Sequence, residues 1–159
     1  MIEPGQKVPS VKIKKTTDSA AEEVDTAALF AGKKVVVFSL PGAFTPTCSQ
    51  KHLPGFVQHA QEIHGKGVDL VACLSVNDAW VMQAWARDQK VGDSVVMLAD
   101  GAAELSKALG IEVTIPGLGL RARRGVMVFD DGVLTSIDLE QPGKFEVSSA
   151  EACLSKLGA

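Results

Sequence analysis

One stretch of this 159-residue chain concentrates the groups most able to do chemistry: Pro41-Gly42-Ala43-Phe44-Thr45-Pro46-Thr47-Cys48. It follows a β-branched apolar run, Lys33 to Leu40, and precedes a segment with helical character. In open α/β sheets the C-terminal ends of the strands form the edge where ligands bind. A thiol in the first turn of the following helix lies near unpaired backbone N–H groups that carry partial positive charge, a setting that favours thiolate over thiol. The bland fate of a free cysteine is a small buried hydrophobe. The two prolines and two threonines of this loop argue instead for a reactive thiol. Thr45 stands where a dithiol oxidoreductase would carry the first sulfur of Cys-x-x-Cys. A hydroxyl there removes the rapid internal disulfide and leaves a hydrogen-bond donor beside Cys48. The favoured chemistry is therefore one in which Cys48 itself attacks and is oxidised.

Ionisation alone does not make such a thiol fast. A thiol of ordinary pKa, about 8.5, is about 3% ionised at pH 7, and lowering the pKa to about 6 raises this to about 90%. Nucleophilicity falls with basicity, and a Brønsted slope of about 0.45 returns roughly 13-fold of that roughly 30-fold gain. The remainder must come from holding the oxidant in line and stabilising the charge that moves onto the departing oxygen.

The other candidates have blander readings. Arg121, Arg123 and Arg124 form a basic cluster. A surface patch or weak anion site describes Arg121 and Arg123, whereas Arg124 immediately precedes a strand, which turns it opposite to Arg123. Cys73 sits mid-run in VDLVACLSV and reads as a packed core thiol, the alternative being a partner that condenses with oxidised Cys48. Cys153 shares an apolar helical stripe with Ala150, Leu154 and Leu157. His52, four residues after Cys48, reads as a structural hydrogen-bonding histidine beside Pro54, or else as half of a Cys-His dyad for acyl transfer. His52, His59 and His64 lack the spacing of a helical metal site. Trp80 and Trp85 are five apart, so at least one belongs to core or interface.

The elements that must position these groups alternate between strand and helix. Strands are predicted over Val11–Lys14, Lys33–Leu40, Val68–Val76 and Val95–Leu98. A hairpin, Val126–Phe129 with Val133–Ile137, is expected around Asp130-Asp131-Gly132. Helices are predicted from the Asp25-Thr26 cap to Phe30, from Pro46 to His64 with a kink at Pro54, from Asn77-Asp78 to about Lys90, and over Ala102–Leu109. A last helix to Leu157 is opened by a Ser148/Glu151 capping box. Thr16–Glu23 and Ile115–Gly119 read as loops. The expected architecture is α/β, a mixed sheet with helices on both faces and a thioredoxin-like fold, in a single domain over residues 1–159.

Composition narrows the function classes. Apolar residues make up 46% and charged residues 22%, enough for a core without disulfides and unlike a disordered chain. Lys plus Arg number 16 against 19 Asp plus Glu, a poor balance for binding nucleic acid. No run approaches the roughly 18 apolar residues of a membrane span. The opening MIEPGQKVPS has neither a signal-peptide core nor transit-peptide bias, so the expected location is the cytoplasm. Three cysteines without a Cys-x-x-Cys pair make neither a disulfide framework nor a zinc ribbon.

Pro41-x-x-x-Thr45-x-x-Cys48 resembles the signature of the peroxiredoxins. PGAFTPTCSQKHLPGF and PGLGLRARRGVMVFDDG resemble their type II, peroxiredoxin-5-like branch, and the likeness extends over nearly the whole chain. The resemblance implies an antioxidant thiol peroxidase without metal or organic cofactor. In it Cys48 would attack the peroxide, Thr45 would be its hydroxyl partner, Pro41 would shield the pocket from water, and Arg124 would supply the guanidinium. It further implies a homodimer. Some members place a second cysteine at the spacing of Cys73, and the position where some relatives carry a resolving cysteine aligns with Ser148. The expected reductant is therefore an outside thiol, glutathione with glutaredoxin or thioredoxin. Gly125 departs from the branch, which often has a bulky side chain there. Two readings of other classes stand beside this one: a thioredoxin-like binding or chaperone module with an inert cysteine, and a Cys-His hydrolase or acyltransferase that depends on His52.

Overall fold

Lys34–Ser39 (KVVVFS) shows how this chain builds its sheet. Its β-branched run is extended, and alternate side chains point to opposite faces. Val36 and Phe38 enter one core, Val35 and Val37 the other, and all four are buried. The computed structural model describes residues 1–16 and 20–157. Nine strands are found among the described residues: β1 Lys12–Thr16, β2 Ala21–Asp25, β3 Lys34–Ser39, β4 Leu70–Ser75, β5 Val96–Ala99, β6 Glu112–Ile115, β7 Gly119–Ala122, β8 Gly125–Asp130 and β9 Val133–Leu139. Seven form one sheet in the order β2-β1-β5-β4-β3-β8-β9, and β6 pairs β7 as a separate hairpin. The centre, β3-β4-β5, is parallel, while β1, β2, β8 and β9 run antiparallel to their neighbours. This is the expected mixed sheet.

The helices are α1 Thr26–Phe30, α2 Leu53–Gly65, α3 Ala79–Asp88, α4 Glu104–Leu109 and α5 Ala150–Leu157. Phe56 and Ile63 of α2, Met82 and Trp85 of α3, and Ala150 and Cys153 of α5 pack on one face of the sheet. Phe30 of α1 and Leu105 and Leu109 of α4 cover the other. Asp25 and Asp78 cap α1 and α3 as their positions predict.

Four local expectations are corrected. Ala21–Asp25 is a strand rather than loop, because pairing with β1 supplies partners that its exposed, polar sequence does not advertise (Thr17 to Ser19 of that expected loop lie outside the described residues). The segment around Pro116-Gly117-Leu118 is the turn of the β6–β7 hairpin, with Thr114 opposite Leu120. The predicted helix from Pro46 begins as a π-helical turn, Cys48–His52, closed by Leu53 N–H on the Cys48 carbonyl, and becomes α-helical only at α2. Pro54 falls at that junction, where its missing N–H costs the helix no interior bond. Ser148 does not cap α5. Its hydroxyl donates to Glu140, and Ser149 Oγ accepts from Ala152 N at 3.1 Å instead.

Gly125, the departure noted above, opens β8 opposite Ser39 and Leu139. A Cβ at this position would come within 2.5 Å of Leu139 Cδ2 and 2.8 Å of the Asp138 carbonyl oxygen. Gly125→Val is expected to lower stability by about 1–3 kcal/mol through this overpacking. A shifted midpoint in urea unfolding checks this, and an unchanged midpoint would contradict the close approach.

Candidate active site

The site is assembled at the C-terminal end of β3. The chain leaves the sheet at Leu40 and turns through Pro41-Gly42. Ala43 N–H donates to Asn77 Oδ1 at 3.0 Å, which ties this loop to the end of β4. Thr45 Oγ1 donates to the Gly42 carbonyl at 2.7 Å, and Ser49 N–H to the Thr45 carbonyl at 2.9 Å. Phe44, exposed, takes φ of 65°, in the left-handed region that a bulky side chain rarely occupies.

Cys48 opens the π-helical turn and is wholly buried, its side chain within the core of the α2 face. Its sulfur nevertheless has a charged neighbour: Arg124 Nη2 donates to Cys48 Sγ at 3.1 Å. These residues are 76 apart in sequence. They meet because β8 pairs with β3 so that Gly125 opposes Ser39, which places Arg124 at the strand end from which Cys48 departs. Ser39 Oγ, donating to the Arg123 carbonyl at 2.7 Å, pins that register.

A second tie fixes the guanidinium. Arg124 Nη1 lies 2.9 Å from His52 Nδ1, and His52 Nε2 lies 2.8 Å from the Ser148 carbonyl oxygen. A carbonyl only accepts, so the ring carries its proton on Nε2 and receives the guanidinium N–H on Nδ1. Burial, and then the adjacent Arg124 charge, push the His52 pKa down to about 3 against the pull of Ser148 and Glu140. The ring is a neutral acceptor through the physiological range. His52 thus serves Arg124, and the proposed Cys-His dyad is replaced by a Cys-Arg-His chain. Phe145 covers it, with its ring 5.1 Å from that of His52 and 5.9 Å from the Arg124 guanidinium carbon.

Glu140 holds the loop that carries Phe145 and Ser148. Its carboxylate accepts from the backbone N–H groups of Glu146, Val147 and Ser148 and from the Ser148 hydroxyl, at 2.6–2.9 Å. Burial works to raise this carboxyl's pKa, but the Ser148, Glu146 and Val147 hydrogen bonds outweigh it and hold the group below the usual carboxylate range. Sequence spacing offered no sign of Glu140 or Phe145 and offered Ser148 only as a helix cap or as the position of a resolving cysteine; all three reach the site through the β9–α5 connection.

The remaining expectations divide. Pro41 and Arg124 line one cavity of about 770 Å³, together with Thr47. The Thr45 hydroxyl donates its proton to the Gly42 carbonyl, so that proton is not the donor to Cys48 that was expected. Arg121 and Arg123 are not a solvated patch. Arg121 donates to the Val76 and Leu118 carbonyls, and its Nη1 occupies the space that a Cβ on Gly42 would need, 2.9 Å away. Arg123 Nη2 donates to the Glu140 carbonyl at 3.2 Å.

Cys73 lies mid-strand between Phe38 and Met97, fully buried, and burial followed by the proximity of Cys48 pushes its thiol well above the usual range. Cys153 is buried and pushed up to about 11, by burial first. His59 bridges Glu62 and Glu151, and His64 bonds the Val68 carbonyl, so the three histidines do not converge. Trp85 is core and donates to Ser49 Oγ, while Trp80 is exposed.

Residues 3–154 match the Redoxin family model. The chain is 49% identical over 160 residues to peroxiredoxin-2E-2, chloroplastic, of Oryza sativa subsp. japonica, covering 96% of this chain and 71% of that protein. It is 47% identical to peroxiredoxin-2B of Arabidopsis thaliana, covering 81% of each. Its fold superposes with a TM-score of 0.94 on reduced Prx3 in complex with H2O2 from Vibrio vulnificus, at 47% identity and covering 99% of both chains. With the thioredoxin-like sheet, the Cys48–Arg124 pair and these matches in hand, the chain belongs to the Redoxin family as a type II peroxiredoxin.

Proposed function

We propose that this peroxiredoxin reduces hydrogen peroxide and alkyl hydroperoxides through Cys48, with Arg124, Thr45 and Pro41 as the groups that receive the substrate. The observation that carries the assignment is the 3.1 Å contact from Arg124 to the Cys48 sulfur. The Cys48 thiolate attacks the terminal oxygen of the peroxide, the S–O bond forms and the O–O bond breaks. The sulfur is oxidised to a sulfenic acid, and the leaving oxygen is reduced to alkoxide or hydroxide and takes a proton from solvent. A guanidinium keeps its charge throughout and supplies donors where negative charge develops. The Thr45 oxygen, its own proton committed, accepts from the peroxide O–H and sets its direction.

An external thiol is the proposed reductant, glutathione with glutaredoxin or thioredoxin. Two equivalents of it return Cys48 to the thiol, release water and leave one disulfide. Cys73 is a poor internal partner because its strand is paired on both sides, and bridging would require the sheet to open. A homodimer is proposed on exposed apolar side chains, Phe44 on the Cys48 loop and Leu118 and Leu120 on the β6–β7 hairpin, which Arg121 holds against Gly42. The proposed location remains the cytoplasm.

Peptide mass mapping after one equivalent of hydrogen peroxide tests the central assignment. A single added oxygen, trapped by a sulfenic-acid reagent, is expected on Cys48 and on neither Cys73 nor Cys153. Oxygen on another cysteine, or none, would overturn it.

A further inference from the structure

The loop that carries Thr45 and Cys48 is braced from outside by Arg121 of β7. This arginine is half-buried and makes no ion pair with a described carboxylate. Its guanidinium instead joins three pieces of chain. Nη1 donates to the Val76 carbonyl at 3.2 Å, just past the end of β4, and Nε donates to the Leu118 carbonyl at 3.2 Å, in the turn of its own hairpin. The third piece is Gly42, where a Cβ would stand 2.9 Å from Nη1 and 3.7 Å from Cζ. Gly42 is buried, its φ lies outside the left-handed region, and the only other atom near that Cβ position is Thr45 Cγ2 at 3.5 Å, an ordinary contact. Backbone conformation therefore does not require glycine here; the guanidinium does.

Behind Gly42 runs a relay of hydrogen bonds into the site. The Gly42 carbonyl accepts the Thr45 hydroxyl at 2.7 Å and the Thr45 N–H at 3.4 Å. The Thr45 carbonyl accepts the N–H of Ser49, the residue after Cys48, at 2.9 Å. On the other side of Gly42, Ala43 N–H donates to Asn77, the residue after Val76. Loop and strand end are thus joined twice, by a hydrogen bond through Asn77 and by packing through Arg121. We propose that Arg121 is a positioning residue for the peroxidase reaction. Anchored on Val76 and Leu118, it fills the space over Gly42 and fixes the Pro41–Thr45 turn, and with it the hydroxyl that directs the peroxide at Cys48. The inference rests on the peroxidase reading and adds a residue that acts through the loop rather than on the peroxide.

A steric swap tests it by stopped-flow oxidation of Cys48 with hydrogen peroxide. Gly42→Ala is expected to push Nη1 off the Val76 carbonyl and slow the reaction about fivefold, and Arg121→Ala about tenfold, within the roughly 10²-fold that a small misplacement of reacting groups can cost. With the guanidinium gone the added methyl group meets no close neighbour. Gly42→Ala/Arg121→Ala is therefore expected to be about as slow as Arg121→Ala alone, rather than the roughly fiftyfold slower that independent effects would multiply to. Alkylation of Cys48 by iodoacetamide, which needs the sulfur but no directed peroxide, is expected not to slow in any variant. Parental peroxide rates in the single variants, a roughly fiftyfold loss in the double variant, or alkylation that slows in step with oxidation would overturn the proposal. Gly42→Ala adds one methyl group only, so its peroxide rate decides the matter even where Arg121→Ala does not fold. Failure of the parent to react with hydrogen peroxide would instead sink the peroxidase reading beneath it.

Discussion

Arg124→Leu is expected to slow oxidation of Cys48 by peroxide by about 10²- to 10³-fold, the typical effect of removing a preorganised donor from developing negative charge. The reason is geometric as much as electrostatic. One guanidinium spans two acceptors, Cys48 Sγ at 3.1 Å through Nη2 and His52 Nδ1 at 2.9 Å through Nη1. A planar fork can do both at once, while an ammonium is a point charge on a flexible stem. Arg124→Lys should therefore recover only part of the loss even though the charge is restored. Stopped-flow traces that follow Trp85, which hydrogen-bonds Ser49 beside Cys48, provide the measurement. A leucine variant as fast as the parent would remove Arg124 from the reaction.

His52→Leu is expected to cost about tenfold in the same rate, because it leaves Arg124 Nη1 without its buried acceptor and frees the guanidinium to turn. His52→Gln, whose amide offers both an acceptor and a donor, should restore much of that loss, which marks His52 as a positioning residue. The ring also predicts a stability profile. Its folded pKa, about 3, lies below the unfolded value of 6.5. Above pH 6.5 the ring is neutral in both states, and its contribution to stability is complete. As pH falls below 6.5 the unfolded chain binds a proton that the folded chain refuses, so stability declines by up to about 1.4 kcal/mol per pH unit. Urea titrations between pH 7 and 4 should show this slope in the parent and a reduced one in His52→Gln. The rate of Cys48 oxidation should show no step from His52 above pH 5. A Cys-His dyad, in which the imidazole takes the thiol proton, predicts the opposite.

The parallel core strands and the helices of the sheet's two faces were legible because each carries a periodicity that burial enforces. KVVVFS is apolar on both faces, and the stripe of Ala150, Cys153, Leu154 and Leu157 is apolar on one. Of the two edge strands, β9 was legible from its hairpin turn and β2 was not. AEEVD has no apolar signature, and its extended form is imposed by β1. Ser148 looked like a cap because its spacing to Glu151 fits one, yet its hydroxyl went to a carboxylate delivered by the end of β9.

The same division runs through the site. Thr45-x-x-Cys48 after a buried strand is a local statement, and local spacing sufficed to identify the sulfur and its loop. The partner that makes this sulfur chemically distinct was not local. Arg124 comes from 76 residues away, delivered by the antiparallel pairing of β8 with β3. Its orientation depends on a histidine 72 residues distant and, through Ser148, on a carboxylate that no motif announced. Linear sequence determined which atoms could react, since chain neighbours share a turn whatever the rest of the fold does. Strand register decided where the charge stands, because a one-residue slip in β8 would turn Arg124 to the other face of the sheet and leave Cys48 an ordinary buried thiol.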